Sequence, residues 1–223
     1  MTYAHIPTST EEGFLMAGLT LLEGLMNEAV LEHGKCIVGL SGGSTPKPLY
    51  GALGKSEEVD WSKIFVFLVD ERHVEEADDD SNTKLIKDTL QPENFVYPTY
   101  APLKEWQKGY DEELKKLFDG HWPDVVLLGM GEDGHIASLF PPVADDASDG
   151  TLTMHTTTDH FAVHDRLSTT LLVLTNAKSK IFLLKGEGKK NTWEAMEISE
   201  EGSERWPAKA VLESEGVTLV SQW

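Results

Sequence analysis

The chain has 223 residues, 40% of them hydrophobic, and a formal net charge of −19. That size and composition suit one α/β domain with a full core rather than a disordered chain. The acidity argues against sequence-independent nucleic-acid binding, and the single cysteine, Cys36, excludes an intrachain disulfide.

From Ser9 to His33, apolar residues recur at helical spacing, with Thr10 placed to cap the start and Gly34 following the end. No basic region precedes an apolar stretch, and no run reaches the ~18–20 apolar residues of a membrane span. Neither a signal peptide nor a membrane partner is expected, and the expected compartment is the cytoplasm. Cys36 to Leu40 reads as a strand with an inert, buried thiol, opening into Ser41-Gly42-Gly43-Ser44-Thr45-Pro46. Pro46 suits a first helical turn, which predicts a helix to about Leu53. Ile64 to Val69 is the next strand, ending in Asp70-Glu71-Arg72, and after an acidic loop a helix begins near Asn82. Glu105 to Phe118 is an amphipathic helix, and Asp124 to Leu128 a strand. Thr170 to Leu174 and Lys180 to Leu184 read as further strands, Gly188 to Met196 and Ala208 to Leu212 as helices, and Val217 to Val220 as a last strand. Strands alternating with helices predict an α/β fold with a mainly parallel, doubly wound sheet. No repeat or composition break marks a linker, so residues 1–223 read as a single domain.

The chemistry concentrates where strands end. Gly129-Met130-Gly131-Glu132-Asp133-Gly134-His135 follows the apolar run Val125 to Leu128. A structural turn uses such glycines but has no need of Asp133 and His135 side by side, which points to a catalytic group at the sheet's C-terminal edge. In Gly42-Gly43-Ser44-Thr45, glycines expose backbone N–H groups and hydroxyls add donors at a helix start, a combination suited to a phosphate monoester. It is neither a Walker loop nor a dinucleotide fingerprint. Arg72 offers a planar fork for phosphate or an oxyanion, or else a salt bridge to Glu71 or a neighbouring acid. Lys189, at the start of a helix, could reach the same anion, and Arg166 is a weaker candidate. The acidic run Glu75 to Asp80 lacks the ligand alternation of a calcium loop, and that run and Asp145-Asp146 read as solvated loops. The histidines lack metal-ligand spacing, so no metal or cofactor is expected; His73 is ambiguous because it adjoins Arg72.

Three segments, Leu40 to Pro46, Asp70 to Val74 with Ser81-Asn82, and Gly129 to Pro141, resemble the 6-phosphogluconolactonase family in order and spacing. With the C-terminal Gly-x-x-Lys they span nearly the whole chain. The resemblance implies a Rossmann-like three-layer fold and hydrolysis of 6-phospho-D-glucono-1,5-lactone in the oxidative pentose phosphate pathway. It implies His135 as catalytic base, with Gly42, Gly43, Ser44, Thr45, Arg72 and Lys189 holding the phosphorylated substrate. Arg166 matches the family's Arg-x-Thr segment less well, because Ser168 stands where threonine is usual. Asp133 is placed to orient the imidazole, as the acid does in a triad. The expected partner is a small sugar-phosphate lactone, and the expected state a monomer or small homo-oligomer.

Two rivals stand beside this reading. Glucosamine-6-phosphate deaminases/isomerases share the glycine loop and the Asp-Gly-His turn and would use Asp70 as base. They carry tyrosine where Arg72 stands, and continue the histidine turn toward Asn-Glu-Pro-Gly rather than Ala137-Ser138-Leu139-Phe140-Pro141. A non-catalytic sugar-phosphate-binding regulator would be expected to have lost His135 or gained a DNA-binding appendage.

Overall fold

The computed structural model describes residues 2–143 and 150–223; Asp145 and Asp146 lie outside the described residues. The strands are β1 (Ala4–Thr8), β2 (Cys36–Leu40), β3 (Ile64–Leu68), β4 (Asp70–Arg72), β5 (Asn94–Val96), β6 (Val125–Leu128), β7 (Thr153–Thr157), β8 (Asp165–Thr169), β9 (Ser179–Lys185) and β10 (Val217–Gln222). The helices are α1 (Glu11–His33), α2 (Lys47–Leu53), α3 (Asn82–Thr89), α4 (Leu103–Phe118), α5 (Leu171–Asn176), α6 (Glu187–Ile198) and α7 (Pro207–Leu212).

Local chemistry accounts for the first elements. Thr10 Oγ1 accepts from Gly13 N at 3.0 Å and Glu11 and Glu12 occupy the first turn, where carboxylates complement the helix dipole. Gly34 ends α1 in the left-handed region at φ 79°. This helix is also long and apolar enough to cross a membrane by length and composition alone. It lies against β1, β2 and β10, burying Phe14, Gly18, Leu22, Met26 and Ala29 on one face. All five residues of β2 are buried, as a strand covered on both faces requires. Gly39 leaves room for the Phe67 ring, whose Cζ would stand 2.5 Å from an added Cβ.

Seven strands form one parallel sheet in the order β1-β10-β9-β6-β2-β3-β5. From β2 the chain builds outward through β3 and β5, then returns to the other side of β2 with β6. The order therefore reverses between β2 and β6, where the loops leaving the two C-terminal ends part and open a crevice. The register sets Leu40 beside Leu127, so those loops start side by side. Above this edge a three-stranded antiparallel sheet, β4-β8-β7, adds a second wall. It is tied down by Thr169 N, which donates to Val69 O at 2.7 Å.

The doubly wound parallel sheet is as expected, although its edge strands β1 and β5 were not anticipated, and two further features differ. Thr170 to Leu174 is not a strand: Leu171–Asn176 is α5, with Val173 and Leu174 buried. A five-residue apolar run suits either a buried strand or a buried helix turn. The small antiparallel sheet was not anticipated, because β7 and β8 are rich in threonine and charge rather than in large apolar residues.

Candidate active site

A cleft of about 620 Å³ opens at the reversal between β2 and β6. All nine candidate residues line it: Gly42, Gly43, Ser44, Thr45, Arg72, Asp133, His135, Arg166 and Lys189. They lie on or just after five separate strands, β2, β4, β6, β8 and β9, and only the fold brings them together.

The turn after β6 carries the histidine. Gly134 N donates to Gly131 O at 3.0 Å and Gly131 N to His135 O at 2.8 Å, closing a tight loop in which Gly134 has φ +91°. Gly131 is irreplaceable for a local reason: a Cβ there would lie 2.1 Å from His135 Nδ1 and 2.3 Å from Asp133 Oδ1. Asp133 Oδ1 stands 2.5 Å from His135 Nδ1 and also accepts from His135 N at 3.3 Å. Burial pushes the Asp133 carboxyl up, but its hydrogen bonds and the charge of His135 outweigh this and hold it below the usual aspartate value. An ionised acceptor fixes the proton of neutral His135 on Nδ1 and leaves the Nε2 lone pair available. The ring is walled by Phe140, 4.7 Å between centroids, and by Phe161, 5.7 Å away and edge-on.

Three cations line the same cleft. Arg72 and Arg166 sit directly across from one another in the β4–β8 pairing. Burial and then the neighbouring Arg72 lower the Arg166 guanidinium, with Asp70 partly restoring it. Lys189, in the first turn of α6, is lowered by burial, partly offset by Glu132 and Asp133. Among the described residues, none of the three forms an ion pair within 4.0 Å. Arg72 does not bridge to Glu71. Its Nη1 donates to Asp80 O at 2.5 Å, and its buried Nε has no partner among the described residues. Converging, partly desolvated cations without a counter-ion are what an anion site provides.

Glu71 has another use. Its carboxylate accepts from Arg72 N (2.7 Å), Asn82 N (2.8 Å), Thr83 N (2.7 Å) and Thr83 Oγ1 (2.7 Å), and so anchors the start of α3. Burial raises its pKa, and these donors oppose the rise.

The glycine loop leans on α3. A Cβ on Gly42 would fall 1.8 Å from Asn82 Oδ1, and Asn82 Nδ2 donates to Asp70 O at 2.9 Å. Gly43 has φ +102° with open space before it. Ser41 is structural, its hydroxyl donating to Leu127 O at 2.6 Å and so joining the two strand ends. Asp70 lines the cleft and accepts from Ser138 Oγ at 2.8 Å, while Ser138 N donates to Ser168 Oγ at 3.2 Å. Asp70, Asn82, Ser138, Phe140 and Phe161 therefore belong to the site although the sequence reading gave them no binding role. Asp70, Asn82, Ser138 and Phe140 fall in the resembling segments, which was the available signal; Phe161 falls in none. His73 lies apart from the cleft, stacked on Tyr100 with Nε2 2.8 Å from Ala101 O. Among the described residues no group of three or more His, Cys, Asp or Glu could hold a metal ion.

The family model described as glucosamine-6-phosphate isomerases/6-phosphogluconolactonase matches residues 9–220. The chain belongs to this family. It is 39% identical over 218 residues to a probable 6-phosphogluconolactonase of Dictyostelium discoideum, covering 93% of this chain and 92% of that one. Identity to a 6-phosphogluconolactonase of Synechocystis is 34% over 200 residues, 83% and 81% of the two chains. The solved structure of a 6-phosphogluconolactonase from Plasmodium vivax superposes with a TM-score of 0.87 at 28% identity, covering 98% of this chain and 89% of that one. Family membership thus rests on the whole domain as well as on the motifs.

Proposed function

We propose that the protein hydrolyses 6-phospho-D-glucono-1,5-lactone to 6-phosphogluconate, with His135 as the base that activates water. The observation that carries this is the Asp133–His135 pair sharing one cleft with Arg72, Arg166 and Lys189, none of which forms an ion pair within 4.0 Å among the described residues. The names of its relatives support the substrate. A δ-lactone is an activated ester, so its hydrolysis needs only a positioned water and some relief of charge on the tetrahedral oxygen. Nε2 of His135 takes a proton from water as the water oxygen bonds to the lactone carbonyl carbon. The tetrahedral intermediate then expels the ring oxygen, which receives that proton from the imidazolium, giving the open-chain acid. Asp133 keeps the ring oriented and favours its charged form between the two transfers. Arg72, Arg166 and Lys189, with the N–H groups of Gly42 to Thr45, hold the phosphate. The nearest cation also offsets the oxyanion.

Every group in this scheme comes from one chain, so a monomer suffices to build the site, and a small homo-oligomer is compatible with it. A cytoplasmic location fits a protein whose one thiol is buried. The test is turnover of freshly prepared 6-phosphogluconolactone above its spontaneous hydrolysis, with gluconolactone and glucosamine 6-phosphate in parallel. Release of ammonia from glucosamine 6-phosphate without lactone turnover would favour the deaminase chemistry, for which Asp70 in the cleft is the natural base.

A further inference from the structure

Glu204-Arg205-Trp206 takes part in none of the sequence motifs, yet it closes on the turn that carries the histidine. Arg205 Nη1 donates to the carbonyl oxygen of Asp133 at 2.8 Å. Its guanidinium lies over the ring of buried Trp206, with Cζ 3.9 Å from the centroid. Both side chains press on the same peptide: a Cβ on Gly134 would stand 2.7 Å from Trp206 Cζ3 and 3.0 Å from Arg205 Nη1. The segment is itself braced, with Trp206 N donating to Gly202 O at 2.9 Å and Val143 N to Glu204 O at 2.9 Å.

The turn needs such a brace. Gly134, at φ +91°, has no side chain to resist rotation of the Asp133–Gly134 peptide. Rotation would turn the Asp133 carbonyl away and carry His135 N out of reach of Asp133 Oδ1, now 3.3 Å away. It would also break the 2.5 Å approach of that oxygen to Nδ1. Arg205 holds the carbonyl rather than the carboxylate, so what it fixes is the geometry of the pair.

We infer that Arg205 is a positioning residue for the reaction, its hydrogen bond to the Asp133 carbonyl, backed by Trp206, keeping the imidazole in register with its acid. This rests on the reading of His135 as base given above. Solvent reaches the clamp through a second cleft of about 600 Å³ lined by Arg205, Glu201, Glu204 and Phe140, so truncation there admits water rather than leaving a sealed void.

The test uses the full chain carrying Arg205→Ala, Arg205→Lys or the wild-type residue, with two readouts. In lactone hydrolysis, Arg205→Ala should lower kcat by about 10- to 100-fold, the scale of a slightly misplaced catalytic group, while KM moves less than about twofold. Arg205→Lys, which can still donate to the carbonyl, should recover most of the loss. In nitrogen-15 spectra of the His135 ring, the wild type should show one neutral tautomer and Arg205→Ala a mixture. Unchanged kcat, a rise in KM alone, or a single tautomer in Arg205→Ala would overturn the inference. If Arg205→Ala does not fold, Arg205→Lys decides: wild-type kcat with one tautomer supports the clamp, and alanine-like loss with a folded spectrum contradicts it. Absence of lactone turnover in the wild type would defeat the proposed function, while the ring spectra would still report whether Arg205 orders the pair.

Discussion

Replacing Asp133 by asparagine probes the site with the least change of shape. The carboxylate accepts from both Nδ1 and the backbone N–H of His135, at 2.5 and 3.3 Å. Asparagine can present its amide N–H to Nδ1, which moves the ring proton to Nε2 and removes the base. We expect kcat to fall by about 10²–10⁴-fold, or about 3–5 kcal/mol of transition-state stabilisation. KM should stay nearly constant, because the substitution leaves Arg72, Arg166, Lys189 and the glycine loop in place. The same substitution has a stability signature. Because the folded-state pKa of Asp133 is depressed, its contribution is fully present above the unfolded value and is lost as pH falls through the folded one. A charge-assisted bond that is one-third exposed contributes about 1–2 kcal/mol at neutral pH, or about 3–6 °C in Tm for a domain of this size. The Tm gap between wild type and Asp133→Asn should therefore close below about pH 4. A full-rate variant, or a gap that widens in acid, would refute the pairing.

The other predictions concern the frame and the cations. Arg72→Ala should raise KM for the phosphorylated lactone by about tenfold or more and leave gluconolactone turnover nearly unchanged, measured by initial rates with both substrates. Gly131→Ala should abolish most activity, because its Cβ would meet Nδ1 at 2.1 Å; the far-ultraviolet circular dichroism should stay native. Glu71→Ala removes the acceptor of four bonds of 2.8 Å or less and should lower stability by about 3–4 kcal/mol in urea titration, more than any cleft cation does.

What the sequence disclosed, and what it concealed, follows from the range of each interaction. Thr10 and Gly34 bound α1 by bonds within a few residues, so the helix was legible from its own segment. The strands β2 and β6 are wholly buried and announce themselves as apolar runs ending in glycine. By contrast, β8 carries Asp165, Arg166, Ser168 and Thr169, and only pairing with β4 makes it a strand. That pairing places Arg166 opposite Arg72, a proximity not legible in the sequence, where Arg166 ranked lower because Ser168 stands in the threonine position. Arg205 was invisible because its partner, Asp133, lies 72 positions away. The Glu71 carboxylate looked like a partner for Arg72 because the two adjoin, whereas the start of α3 claims it.

The most direct measurement is the lactone hydrolysis rate of His135→Ala, corrected for spontaneous opening, together with its affinity for 6-phosphogluconate by calorimetry. With His135 as the base, turnover falls at least about 100-fold while the affinity changes less than about twofold. Wild-type turnover in that variant, or loss of rate and affinity together, would contradict it.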